Sequence, residues 1–395
     1  MYTSYYWALG ALGLYTALRI YSLLRGRGLL QISAAVFAAL SYAVYPILVV
    51  MGITRPWGDG MHIAIVVSGF FFSAAFLETL LLVLRDLWLA LRWAAGKIRR
   101  RISGDSFSLS FAPERKRSAA LPAFFAFLAF AGAAYGTWQT QRLPLIREVE
   151  IPIPRLPSSM DGLRIVQLTD VHLSPLFAHR RIVRIVEAAQ TLKPDLIVVT
   201  GDIADGTPQA RLADVRVLVG LQKSAPVVMV PGNHDYYVDF AAWRECYRSL
   251  GLPLLENGSV RLTLRGGAVT VAGLTDRSGE LRRFPGPDIS KALSDAAPDA
   301  LRIALIHRPE NPAPQADPRW KVDLELAGHT HGSQMLFLWP MVALQNHGYV
   351  HGLYRFGSMP LYVSAGFGLW SGAPMRLGVP PELTLITLRS ARAAR

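Results

Sequence analysis

Val227-Val228-Met229-Val230-Pro231-Gly232-Asn233-His234-Asp235 is an apolar strand that stops abruptly and releases an amide, an imidazole and a carboxylate together. A strand needs no such ending to be stable. Pro-Gly followed by Asn or Asp is also ordinary turn chemistry, so this stretch gains meaning only from its neighbours. Two earlier and two later apolar runs end in the same manner. Leu163 to Leu168 runs into Thr169-Asp170-Val171-His172, and Leu196 to Val199 into Thr200-Gly201-Asp202-Ile203-Ala204-Asp205. Leu301 to Ile306 stops at His307, and Val322 to Leu326 is followed by Ala327-Gly328-His329-Thr330-His331-Gly332.

Segments of helical periodicity separate the early strands: Arg181 to Leu192, Leu212 to Leu221 and a helix around Ala241 to Leu250. Strand and helix alternating at this spacing predict parallel strands in an α/β layered domain, with polar residues gathered at their carboxyl ends. Shorter alternating strands, Val260 to Leu264 and Val269 to Leu274, come next. Ile146 to Ile153, bounded by prolines, suits an edge strand. An Asp-x-His at a strand end can turn two donors toward one cation. A His-x-His turn between glycines is costly to explain as core packing, because each imidazole would need its own buried partner.

The strand ends together offer Asp170, His172, Asp202, Asn233, His234, Asp235, His307, His329 and His331, which include five of the nine histidines. Mixed carboxylate and imidazole donors suit Zn, Mn or Fe rather than Ca. The set is larger than one tetrahedral ion can use, whereas two ions about 3.5 to 4 Å apart and bridged by a carboxylate use it economically. The single cysteine, Cys246, excludes both an intrachain disulfide and a cysteine-built metal cage.

In this order, Asp170-x-His172, Gly201-Asp202-x-x-Asp205, Gly232-Asn233-His234-Asp235, His307 and Gly328-His329-x-His331 resemble the calcineurin-like metallophosphoesterase superfamily, over roughly Leu145 to Leu388. Asp161-Gly162-Leu163-Arg164-Ile165, Tyr236-Tyr237, Gly352-Leu353-Tyr354, Leu361-Tyr362-Val363-Ser364 and Pro380-Pro381-Glu382 resemble its membrane-associated YkuE-like branch. The resemblance implies a four-layer α/β/β/α sandwich. It implies a first metal on Asp170, His172 and His331, a second on Asn233, His307 and His329, and Asp202 bridging them. His234 matches a catalytic histidine that is not a ligand, with Asp235 placed to orient it, and Asp205 matches a position outside the ligand set. Ser333 stands where the branch commonly has a second glycine, which bears on loop shape and leaves the ligands intact. The implied reaction is attack of metal-bound hydroxide on phosphorus, with His234 protonating the departing oxygen.

The first 140 residues read differently. Tyr5 to Leu24, Leu29 to Met51, Met61 to Leu84 and Ala119 to Thr137 are each apolar and long enough to cross about 30 Å of hydrocarbon as a helix. The domain plan is therefore a transmembrane region of about four helices over 1–140, with a basic cytoplasmic linker over 85–118, followed by a metallophosphoesterase domain over 141–395. The net charge of +13 is concentrated in part at Arg92, Lys97, Arg99, Arg100, Arg101, Arg115, Lys116 and Arg117, beside apolar runs. Such charge is a topology signal before it is a nucleic-acid signal. It places the first and third connections in the cytoplasm and, with four spans, the catalytic domain outside, in a multi-pass protein of the cell (inner) membrane; an odd number of spans would put that domain inside. Asp86 to Arg101 reads as a helical extension lying at the inner membrane surface. Glu78 reads as reaching the interface or pairing with a basic neighbour.

The partners this organisation implies are the lipid bilayer and a phosphorylated lipid or other envelope molecule, with no nucleic acid. Leu336-Phe337-Leu338-Trp339-Pro340-Met341-Val342, with His347 and His351 nearby, is either core packing or a loop dipping into the membrane. Two other functions fit the same residues: a broad soluble phosphodiesterase or nuclease whose spans are an anchor only, and an inactive receptor or scaffold.

Overall fold

The computed structural model describes residues 2–55, 59–103, 120–309, 311–370, 372 and 374–390. The chain divides into two compact units, one of Met1–Leu48 with Ala64–Thr137, the other of Val49–Ile63 with Trp138–Arg395.

The first unit is helical: α1 (Tyr2–Leu23), α2 (Leu29–Ile53), α3 (Asp59–Ser103) and α4 (Ala120–Gln141). Among the described residues, Leu29–Gly52, Gly60–Arg99 and Ala120–Gln141 are long and apolar enough to cross a membrane, by length and composition. Large apolar side chains such as Leu40 and Phe127 face outward, as they would in lipid. Polar contacts join the helices inside: Thr79 meets Thr16 at 2.5 Å and the Tyr42 hydroxyl at 2.6 Å. Arg19, the charge in the first apolar run, pairs with Asp86 at 2.6 Å, and Tyr15 donates to the same carboxylate at 2.8 Å.

The expected helical extension after residue 85 is present. It prolongs α3 into one helix of 45 residues, about 68 Å long at 1.5 Å per residue. Glu78 is half-buried and makes no ion pair among the described residues, so pairing with a basic neighbour is not what holds it. Arg115, Lys116 and Arg117 lie outside the described residues.

The second unit is built on two sheets. In the first, β1 (Leu145–Ile153), β2 (Arg164–Leu168), β3 (Leu196–Thr200), β4 (Val227–Val230) and a strand at the chain end, β11 (Glu382–Ser390), lie in the order β1-β11-β2-β3-β4. In the second, β5 (Gly258–Leu264), β6 (Gly267–Gly273), β7 (Leu301–Leu305), β8 (Leu324–Ala327), β9 (Gly352–Phe356) and β10 (Met359–Val363) lie in the order β5-β6-β7-β8-β10-β9. β2, β3 and β4 are parallel, as the alternation with α5 (His179–Thr191) and α6 (Pro208–Arg216) requires. The expected edge strand is β1, and Pro152 sits in it without breaking a central ladder. The segment expected to be helical from Leu212 to Leu221 is α6 followed by a tighter turn, Val217–Lys223.

Three apolar layers follow from the pleat. Ile165, Val198, Val230, Val271, Ile303 and Leu326 meet between the sheets. Val166, Ile197 and Val199 face the opposite way, against Ile185 of α5, Val215 of α6 and Trp243 of a further helix, α8 (Phe240–Ser249), which follows α7 (Asn233–Tyr237). Ala272, Ala304 and Leu361 face the last layer, with Ile289 and Leu293. All five residues of β3 are buried, and each such Val, Leu or Ile contributes roughly 1.5–3 kcal/mol. Helix, sheet, sheet and outer layer make the α/β/β/α sandwich. The carboxyl ends of β2, β3, β4, β7 and β8 deliver every donor named above.

Candidate metal centre

The donors leave their strands through backbone conformations that side chains normally avoid. Asp170 (φ 49°), His172 (44°), Asp202 (52°), His329 (72°) and His331 (50°) all lie in the left-handed region, where strain of about 1–3 kcal/mol per residue persists only if the surroundings impose it. Each strand stops and curls at once, which turns its donor back over the end of the sheet. Two glycines make the crowding possible. A Cβ on Gly201 would stand 2.6 Å from His307 Nδ1, and one on Gly232 would stand 2.3 Å from Asp202 Oδ1.

Three groups of donors result, Asp170 with His172 and His331, Asp202 with His307 and His329, and His172 with Asp205 and His234; the first two carry the residues expected as ligands. Asp170 Oδ2 accepts hydrogen bonds from Thr169 Oγ1 and from the His329 backbone N–H, both at 2.9 Å. Its Oδ1 is buried, meets no donor among the described residues, and lies 3.3 Å from His331 Nε2. His172 Nε2 and His331 Nε2 face each other at 3.1 Å. In the second group, His307 Nδ1 must carry a proton, because 2.8 Å away stands only the carbonyl of Thr200. That leaves Nε2 facing Asn233 Oδ1 at 3.1 Å and Asp202 Oδ2 at 3.2 Å. Asn233 Oδ1 points inward because its Nδ2 donates to the Tyr237 hydroxyl at 3.0 Å.

Asp202 lies between the groups. Its Oδ1 accepts from the His234 backbone N–H at 2.7 Å, while Oδ2 is 3.2 Å from His307 and 3.5 Å from His172. Lone pairs thus converge twice around one carboxylate, an arrangement that repels itself unless protons or cations intervene. The residues present therefore fit two ions. Burial opposes charge on His307, yet Asp202 and Asp170 raise it to about 10. Burial also works against Asp202, which His307 and His234 nevertheless hold well below the usual carboxylate range. For His331 and His329 burial prevails and lowers both, with His172 adding to the first and Arg308 to the second.

The carboxylate beside His234 is Asp205, not Asp235. His234 Nδ1 lies 2.7 Å from Asp205 Oδ1, and His172 Nδ1 lies 3.1 Å from Asp205 Oδ2. One carboxylate so orients a candidate ligand and a candidate acid, leaving His172 Nε2 free for the first donor group. Burial opposes charge on His234, but Asp205 and Asp202 raise it to about 9. Asp235 faces the other way, accepting from the Gly232 N–H at 2.8 Å and the Tyr247 hydroxyl at 3.1 Å. Its burial, with Asp202 nearby, pushes it up to about 7, and its place is structural, capping α7. The resemblance implies Asp235 in this place. Successive side chains at a helix start diverge by about 100°, so neighbours in the chain need not share a site.

Arg376 carried no sequence signal. It is fully buried, and its guanidinium donates to the carbonyls of Gly368, Ala365, Gly366 and His331 at 2.9–3.3 Å, fastening the His331 turn to the loop after β10. His351 and Glu382, also outside the ligand set, pair at 2.7 Å, and His347 is exposed.

A sequence profile of the calcineurin-like phosphoesterases matches residues 163–333. The chain is similar to a transmembrane protein with metallophosphoesterase domain from Danio rerio, 32% identical over 66% of this chain and 60% of that protein. The protein of that description from Bos taurus is 32% identical, over 70% of this chain and 65% of the relative. The match thus spans less than two thirds of either vertebrate relative. An uncharacterized metallophosphoesterase, YkuE, from Bacillus subtilis is 32% identical over 66% of this chain and is matched along 91% of its own length. Likeness over almost the whole of a family member, across the part of the chain where the donors converge, establishes that this chain belongs to the calcineurin-like metallophosphoesterases.

Proposed function

We propose that this protein is a membrane-anchored dimetal phosphoesterase that hydrolyses a phosphoester or pyrophosphate bond of a lipid or other envelope molecule. The observation that carries the reading is the position of Asp202 Oδ2 between two separate donor groups. When bound, two ions there supply Lewis acidity toward phosphoryl oxygens and a water activated at neutral pH. Asp170, His172 and His331 would hold one, and Asn233, His307 and His329 the other.

The chain's own groups supply the rest. His234 keeps Nδ1–H on Asp205, which leaves Nε2 to hold a proton at the departing oxygen. Tyr237 packs against the His234 ring at 4.8 Å and restrains both it and Asn233. The surrounding apolar strand ends exclude water from one side of the site and strengthen each of these charge interactions.

Parity supports one side of the membrane for the catalytic domain. Val49–Ile63 groups with the catalytic unit, where Arg211 Nη2 donates to the Gly52 carbonyl at 3.0 Å and His62 Nδ1 lies 3.1 Å from the Pro175 carbonyl. α3 and α4 separate that connection from the catalytic domain along the chain. If both cross, the basic segment between them lies on the opposite side, which the positive-inside rule makes cytoplasmic. This supports an extracytoplasmic catalytic domain whether or not α1 spans.

The test is hydrolysis by the detergent-solubilised full chain reconstituted with Mn, Zn, Fe or Co, against lipid and soluble phosphoesters, with Asp202→Asn as control. Lipid turnover lost in the control is expected. Turnover of soluble esters alone would reduce the spans to an anchor, and no turnover with any metal would overturn the reading.

A further inference from the structure

From Gly332 to Tyr354 the chain carries no Asp, Glu, Lys or Arg. Within this stretch Leu336–Leu338 forms a tight turn and Trp339–Gln345 a helix, and neither buries a single residue. Leu344 is 86% exposed, Leu336 58%, Met341 48% and Phe337 42%. Trp370 joins them, 43% exposed, its backbone N–H donating to Gln334 Oε1 at 3.0 Å. The lobe is nevertheless firmly rooted. Met335 is buried, Leu336 N–H donates to the Leu377 carbonyl at 2.8 Å, and Leu377 N–H donates to the Gln334 carbonyl at 3.0 Å. The root lies three residues beyond His331.

No residue of this segment is buried in the core: Leu336, Phe337, Met341 and Leu344 are exposed, and Leu338, Trp339 and Val342 are half-buried. An uncharged apolar face beside a polar site marks an interaction surface. We propose that this lobe docks in the interface of the bilayer that holds the chain's own spans, so that a phosphoester headgroup reaches the metal centre from the membrane side. Aliphatic side chains flanked by Trp339 and Trp370, with no fixed charge among them, match the boundary between headgroups and acyl chains. The occupant is the bilayer because the chain's apolar helices hold every copy at one. The substrate side of this proposal rests on the phosphoesterase reading, whereas the docking itself does not.

The test uses the full chain in nanodiscs, with Leu344→Cys carrying an environment-sensitive fluorophore in a Cys246→Ser background. Lipids brominated in the upper acyl chain are expected to quench the probe, and aqueous iodide to leave it bright. Quenching by iodide, or protection from both quenchers as a second copy or a protein partner would give, overturns the proposal. In kinetics, Phe337→Ser with Leu344→Ser is expected to raise KM about 10-fold for phosphatidic acid in the nanodisc, and to leave bis(p-nitrophenyl) phosphate turnover within about twofold. Unchanged lipid KM, or equal loss on both esters, also counts against it. Soluble-ester turnover that survives Asp202→Asn would instead sink the phosphoesterase reading, while the fluorescence would still decide the docking.

Discussion

Asp205 Oδ1 lies 2.7 Å from His234 Nδ1, and the same carboxylate reaches His172 Nδ1 through its other oxygen at 3.1 Å. Loss of Asp205 therefore removes the orientation of two imidazoles with different tasks. If His234 protonates the leaving oxygen, its absence matters most when that oxygen is basic. His234→Ala is expected to retain metal and to lose at least ~10²-fold in kcat on an alkyl phosphoester, with a much smaller loss on a nitrophenyl ester. Asp205→Asn should show the same split and also weaken metal binding. Equal losses on both esters would remove His234 from the proton step.

Asp202 Oδ2 lies within reach of both donor groups, 3.5 Å from His172 and 3.2 Å from His307. Metal analysis of the wild-type chain is expected to give two ions per chain, and Asp202→Asn fewer than two. Binding must displace protons from the imidazoles, so occupancy should fall as pH is lowered. A stoichiometry of one in the wild type would refute the paired site.

Arg376 donates to four carbonyls, those of His331, Ala365, Gly366 and Gly368. A lysine retains the charge and loses the planar fork. Arg376→Lys is therefore expected to lower metal affinity by about 10- to 100-fold, the scale of groups that orient ligands from behind. Competition with a chelating dye measures it, and wild-type affinity would reduce Arg376 to a packing role.

Glu325, in β8, turns into the outer layer, and neither carboxyl oxygen meets a donor among the described residues. Burial pushes it up to about 8. The folded chain thus keeps a proton that the unfolded chain releases above the ordinary glutamate value. This contribution favours folding at low pH, and stability declines by up to about 1.4 kcal/mol per unit as pH rises from about 4.5 to 8, then levels off. Glu325→Gln should flatten that decline. The difference in Tm between wild type and variant at pH 5.5 and pH 8.5 measures it, and parallel pH profiles would refute it.

The layers and the donors were legible because both depend on local pattern. Apolar runs such as Leu196 to Val199 read as buried strands, and a donor at a strand end keeps that place in any sheet. Partners brought from a distance were not legible. β11 enters between β1 and β2 from the far end of the chain, antiparallel to β2 and parallel to β1. Nothing near Arg376 marks it off from any surface arginine. The Asp205 and Asp235 exchange has the same origin, since contact was decided by a strand turn crossing a helix start.

His331, Gly332, Ser333 and Gln334 have positive φ in succession, at 50°, 59°, 72° and 56°. Glycine occupies one of the four, and a serine stands where the related branch commonly has another. Ser333 is therefore a place where the protein would become more robust by losing atoms. Its hydroxyl, donating to the Met335 carbonyl at 3.2 Å, offsets part of the conformational cost. Ser333→Gly should raise stability by up to about 1 kcal/mol, seen as a higher Tm. The turn that joins His331 to the apolar lobe is thus held in a costly conformation at a position that a single substitution could relax.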